Sequence, residues 1–147
     1  MQPQKKRCRT PAKVTALQTL KAELKPLPKI LVIDDDAAFL EILVDLLNDH
    51  NCQVFTAQNG IWGLRFAETM IPDLIICDIR LPGLDGYQVL KALRQNPVTA
   101  KIPFVFMTAE DIESDRAKEL GADDLFSKCF MQIEDLTKTI QTKIKAK

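Results

Sequence analysis

The 147-residue sequence predicts a doubly wound α/β fold on a five-stranded parallel sheet, and three observations carry that prediction. The runs Ile30-Leu31-Val32-Ile33 and Leu74-Ile75-Ile76-Cys77 are short, continuous and apolar, as strands buried on both faces must be. Elsewhere apolar residues recur at the i, i+3, i+4, i+7 spacing of a helix with one buried face. The two patterns alternate five times, and five βα units joined by right-handed crossovers place helices on both sides of an open sheet.

The elements follow in order. Residues 1–28 stand apart as a basic, proline-containing extension, with the run Lys5-Lys6-Arg7-Cys8-Arg9 and with Pro3, Pro11, Pro26 and Pro28. Within it Val14, Leu17, Leu20 and Leu24 lie at roughly helical spacing, which allows a short helix that docks on the domain or on a partner. The domain is expected over 29–147. Ile30–Ile33 is its first strand, and Leu40, Leu43, Val44 and Leu47 mark the first helix. Cys52–Thr56 is a strand and 59–69 a helix; Asp73–Cys77 is a strand, bounded by Pro72 and a Pro/Gly cluster, and 87–94 a helix. Ile102–Met107 is a strand before the polar helix 111–120, and Asp124–Ser127 a short strand before the helix 133–144, whose buried face is Leu136, Ile140 and Ile144. The implied strand order is the flavodoxin-like 2-1-3-4-5, in which every strand's carboxyl end opens on one rim.

The totals narrow the function. A content of 46% hydrophobic and 27% charged residues suits one soluble domain. No run approaches the ~18 apolar residues of a membrane span, and the N-terminus lacks the apolar core of a secretory signal, so a cytoplasmic location is expected. The zero net charge conceals +7 over residues 1–29 and −7 afterwards. An acidic body argues against direct DNA binding by the domain, whereas the basic extension suits a partner, a nucleic acid or an anionic surface, or simply solvent. Cys8, Cys52, Cys77 and Cys129 form no C-x-x-C pair, so no zinc site is signalled, and Cys52 and Cys77 read as small core residues.

The rim carries the chemistry. Reading off the strand ends gives Asp34, Asp35 and Asp36, then Asp78, Thr108 and Lys128. Carboxylates gathered in one cleft resist ionising unless cations offset them, which implies a divalent ion. Mg²⁺ fits, since it takes one or two carboxylates, waters and a phosphate oxygen. Thr108 can donate to a phosphoryl oxygen and Lys128 can act as a point charge on another. An aspartate so placed can attack phosphorus in line.

At these residues the sequence resembles the receiver domain of two-component response regulators, of the stand-alone, chemotaxis type, from Lys29 to about Lys145. Ile30 to Asp36 resembles the family's acidic-pair strand, and Asp78-Ile79-Arg80-Leu81-Pro82-Gly83-Leu84-Asp85-Gly86 is similar to the phosphoacceptor loop. Met107-Thr108-Ala109 resembles the switch-threonine motif, and Gly121-Ala122-Asp123-Asp124 the approach to the lysine, Lys128. The resemblance implies that Asp78 is the phosphoacceptor, fed by a histidine kinase or phosphotransfer protein. It implies Mg²⁺ on Asp35, Asp78 and the backbone carbonyl of Arg80, with Asp34 reaching it through water. It also implies self-phosphorylation and dephosphorylation as the only catalysis, and an output by binding a downstream protein on the face of helix four, strand five and helix five.

Two departures from the family pattern are present. Lys128-Cys129 replaces the usual Lys-Pro, and Leu125 stands where an aromatic switch residue is usual, with Phe126 expected to face the other way. Both predict altered output coupling. The alternative they raise is a receiver-like binding module that works without phosphorylation. A phosphohydrolase of the haloacid dehalogenase type wants a second acid two residues after the nucleophile, and Arg80 stands there instead. Among the remaining residues, Asp36 and Asp85 read as caps, His50 as an exposed helix end, and Trp62 with Phe66 as packing. The resemblance puts Arg80 and Glu110 at the family positions two after the acceptor and two after Thr108, which flank the approach to the phosphoryl group, and they are expected to pair over it and slow attack by water.

Overall fold

Alternation along each buried strand builds two cores rather than one, because successive side chains point to opposite faces. A computed structural model describes residue 16 and residues 26–109, 114–128 and 133–145. Its strands are β1 (Lys29–Ile33), β2 (Gln53–Ala57), β3 (Leu74–Cys77), β4 (Phe104–Thr108) and β5 (Asp124–Ser127). Its helices are α1 (Ala37–Asp49), α2 (Gly60–Met70), α3 (Gly86–Gln95), α4 (Ser114–Glu119) and α5 (Ile133–Lys145). The sheet is wholly parallel in the order β2-β1-β3-β4-β5, as expected.

Leu31, Ile33, Ile75, Cys77, Phe104 and Phe106 face α2, α3 and α4, where Ala67, Val89, Leu90, Leu93 and Ala117 meet them. Ile30, Val32, Leu74, Ile76, Val105 and Met107 face the other way, onto Leu40, Leu43 and Leu47 of α1 and Leu136 and Ile140 of α5. Every residue of β3 is buried, which is why its sequence shows no polar alternation. Cys52 and Cys77 are core residues, as read.

Several boundaries shift for local reasons. Cys52 precedes β2 rather than opening it, and Asp73 precedes β3, where its carboxylate accepts the Lys29 amide at 2.8 Å. β4 starts at Phe104 instead of Ile102, because Pro103 offers no amide to a ladder. Leu120 falls after α4, in a turn closed by Gly121 at φ +95°. The caps are as expected: Asp36 accepts the Phe39 amide at 3.2 Å, and Asp85 forms a reciprocal capping box with Gln88, each bond 2.9 Å. His50 is the exposed C-cap residue of α1. Trp62 packs its ring against Phe66 at 5.8 Å while staying half exposed. Glu110, Cys129 and the expected helix around Val14 to Leu24 lie outside the described residues, Ala16 excepted, which is helical.

Arg94, which carried no signal in the sequence, ties the far edge of the sheet together. Its guanidinium donates to the carbonyls of Ala100 (3.1 Å), Ile102 (2.7 Å) and Gly121 (2.9 and 3.2 Å), and pairs with Asp123 at 3.4 Å. Asp123 in turn accepts the Phe104 amide at 2.8 Å, so the first residue of β4 is anchored through the same cluster. Replacing Arg94 by methionine keeps the stem and leaves carbonyls without donors. Arg94→Met is expected to lower stability by about 2 kcal/mol in urea unfolding, and a loss near zero would show that water replaces the guanidinium at no cost.

Candidate functional site

Strand register brings the acids together. Ile33 lies level with Cys77 in the β1–β3 ladder, so Asp34 and Asp78 leave the sheet side by side. Their amides extend the ladders by one rung: Asp34 donates to Ala57 at 3.0 Å and Asp78 to Ile33 at 2.9 Å. Across the sheet, the Lys128 amide donates to Thr108 at 2.8 Å and continues β5 in the same way. Four rim residues from four strand ends are thus held by backbone bonds before any side-chain contact forms.

Asp34, Asp35 and Asp78 can offer carboxylate oxygens within 4.8 Å of one another. Asp34 and Thr108 are each 2% exposed and Asp78 is 8% exposed, whereas Asp35 faces solvent. The Lys128 ammonium reaches over from β5, lying 3.1 Å from Asp78 Oδ2 and bonding to Asp34 Oδ2 as well. The other oxygens are occupied by the chain: Asp34 Oδ1 accepts the Asp36 amide at 2.9 Å, and Asp78 Oδ1 the Arg80 amide at 3.3 Å. Gly86 makes the loop after Asp78 compact. Its amide donates to Ile79 at 2.8 Å, and a Cβ there would run into the Asp78 carbonyl and, at 2.7 Å, into Ile79 Cα.

Burial pushes the Asp34 carboxyl above the usual carboxylate range, against the bonds from Lys128 and the Asp36 amide and helped by the charge of Asp78. For Lys128, burial disfavours the ammonium, but bonds to Asp34 and then Asp78 outweigh it and raise the pKa. Burial also lifts the Cys77 thiol well above its ordinary value, so this neighbour of Asp78 stays protonated. The donor set suits a hard divalent cation. Three carboxylates and one lysine leave about two negative charges uncompensated, and oxygen donors are what Mg²⁺ takes.

Every rim residue singled out from the sequence is therefore present at the rim, with Asp36 as a cap and not as a ligand. Leu125 packs on the α4 side and Phe126 on the α1/α5 side, as the strand alternation required. Two residues escaped notice. Phe39 presents its ring face to the Lys128 ammonium, 4.3 Å from the ring centroid. Tyr87 stacks edge-on against Phe106 at 5.4 Å and lies under the Arg116 guanidinium at 4.1 Å, joining α3 to α4. The only hint in the sequence was that each is an aromatic in the first turn of a helix following an acidic cap.

Residues 30–141 match the family of response regulator receiver domains. The protein PilH of Pseudomonas aeruginosa is 36% identical over 114 residues, covering 76% of this chain and 93% of that protein. The alkaline phosphatase synthesis transcriptional regulatory protein PhoP of Bacillus subtilis is 43% identical over 104 residues, but the chain spans only 42% of its length. Among solved structures, the chemotaxis protein CheY4 of Vibrio cholerae superposes with a TM-score of 0.73 at 28% identity, covering 80% of this chain and 98% of that one. A response regulator receiver domain protein of Clostridium thermocellum gives 0.73 at 30% identity, over 82% and 96%.

The raised Asp34 pKa has a definite sign. In metal-free protein the stability tied to this group is fully present below the unfolded carboxylate value and is lost as pH rises through the higher folded value. Asp34→Asn removes that loss. In EDTA, the stability of the variant relative to the parent is expected to improve between acid and neutral pH, measured by urea unfolding. Excess Mg²⁺ is expected to stabilise the parent more than the variant at neutral pH. A difference independent of pH would contradict the assignment.

Proposed function

Because the chain belongs to the response regulator receiver domain family, we propose that Asp78 accepts a phosphoryl group from a phosphohistidine protein and that the signal passes on by protein–protein contact. Receiver domains are signalling modules that meet histidine kinases or phosphotransfer proteins and bind Mg²⁺ at an acidic pocket. The observation that supports the reading for this chain is the cluster of Asp34, Asp35 and Asp78 with Lys128 bonded to two of the three.

In this reading an Asp78 carboxylate oxygen attacks phosphorus in line with the donor. The new O–P bond forms as the P–N bond breaks, and the electron pair leaves on the imidazole, which takes up a proton. Asp34, Asp35, Asp78 and the Arg80 carbonyl would hold Mg²⁺, whose charge offsets that of the carboxylates and phosphoryl oxygens. Lys128 stays on Asp78 and meets one phosphoryl oxygen, while the Thr108 hydroxyl donates to another. Drawing Thr108 inward moves the end of β4, and with it the face of α4, β5 and α5 on which a downstream protein would dock. Catalysis by the chain is limited to its own phosphorylation and dephosphorylation.

The domain is assigned to 29–147 and residues 1–28 to a separate extension, in a cytoplasmic protein. Among the described residues no helix is long and apolar enough to cross a membrane. One observation favours a second reading, a module that binds its partner without phosphorylation: Leu125, in place of an aromatic switch, packs into the α4-side core.

Acetyl phosphate with Mg²⁺ is expected to add one phosphoryl group to the wild type by mass spectrometry and none to Asp78→Asn. Thr108→Ala is expected to accept the group but to lose most of the amide shifts on α4 and β5 seen by NMR. An unmodified wild type would leave the phosphorylation-independent module as the function.

A further inference from the structure

The Lys128 ammonium is held from more than the carboxylate side. Asp34 and Asp78 meet it with charge, and the ring of Phe39 covers it at 4.3 Å from the centroid. Lysine carries a compact charge on a flexible stem, so two carboxylates restrain its direction only in part. An aromatic face adds attraction where hydration has been lost, and the Lys128 side chain is only 13% exposed.

Phe39 is itself fixed. Its amide donates to Asp36 Oδ1 at 3.2 Å, so the cap of α1 sets the first turn, and its ring packs against the core under α1 and α5. The residue after Lys128 is Cys129, so no proline ring stiffens the chain there.

We propose that Phe39 is a positioning residue that holds the Lys128 ammonium over Asp34 and Asp78 and so sets the affinity of the site for a phosphoryl group. The effect on phosphoryl affinity rests on the phosphoacceptor reading of Asp78. Leucine at 39 would fill the space without a π face, whereas tyrosine would keep one.

The test is a beryllofluoride titration in saturating Mg²⁺, followed by the NMR shift of the Thr108 amide, in wild type, Phe39→Leu and Phe39→Tyr. Phe39→Leu is expected to bind roughly 5–10-fold more weakly and Phe39→Tyr like the wild type. Mg²⁺ affinity without beryllofluoride is expected to stay within about twofold in all three, which a general loosening of the site would not allow. Equal binding by Phe39→Leu, or a parallel fall in Mg²⁺ affinity, overturns the proposal. A second measurement is independent of phosphoryl chemistry: urea unfolding in EDTA of Phe39→Leu, Lys128→Met and the double variant. The two changes are expected to be non-additive by roughly fivefold in the unfolding constant, and additivity overturns the proposal. A wild type that ignores beryllofluoride counts against the phosphoacceptor reading instead, and the unfolding cycle then decides the role of Phe39 alone.

Discussion

Burial of the Asp34 and Asp78 carboxylates beside Asp35 is what the rest of the rim is built to offset. Taken alone, two buried carboxylates with a third beside them would disfavour the folded state or hold protons. Lys128 offsets part of that cost by bonding to Asp34 and Asp78 together, and the amides of Asp36 and Arg80 take the remaining oxygens of those two side chains. The compensation is incomplete, since burial still holds Asp34 above the usual range. A site left short of positive charge in this way is primed for a divalent cation.

That arrangement depends on a rigid base. Two cores on opposite faces of one sheet lock β1 and β3 in register, and each acid then follows the last residue of a fully buried run. On the far side, Arg94 and Asp123 fasten the start of β4 to the loops around it, which steadies the strand that ends in Thr108. The lysine is carried by β5, whose amide ladder to β4 runs on as far as Lys128 itself. Stability and chemistry therefore share the same backbone bonds.

The β5 side of the molecule is built differently from the acidic side. Leu125 of β5 packs on the core beneath α4, while Tyr87 bridges Phe106 and Arg116 between α3 and α4. The aromatic contact to α4 thus comes from a helix rather than from β5.

The order of elements, the parallel sheet and the identity of the rim acids were all legible in the amino-acid sequence, because burial on both faces leaves continuous apolar runs and one-sided burial leaves helical spacing. The caps Asp36 and Asp85 were legible too, since an acid before a helix satisfies amides a few residues away. The shared rim was legible, but which side chains touch across it, and how closely, was not. Lys128 meets Asp78 across 50 residues of chain, and Arg94 meets Gly121 across 27. Such distances follow from strand register and helix packing, to which no short window of sequence has access. The rim acids were therefore set by local pattern, whereas the two ion pairs from the lysine to Asp34 and Asp78, the Phe39 ring above it and the Arg94 cluster exist only once the two cores have closed on the sheet.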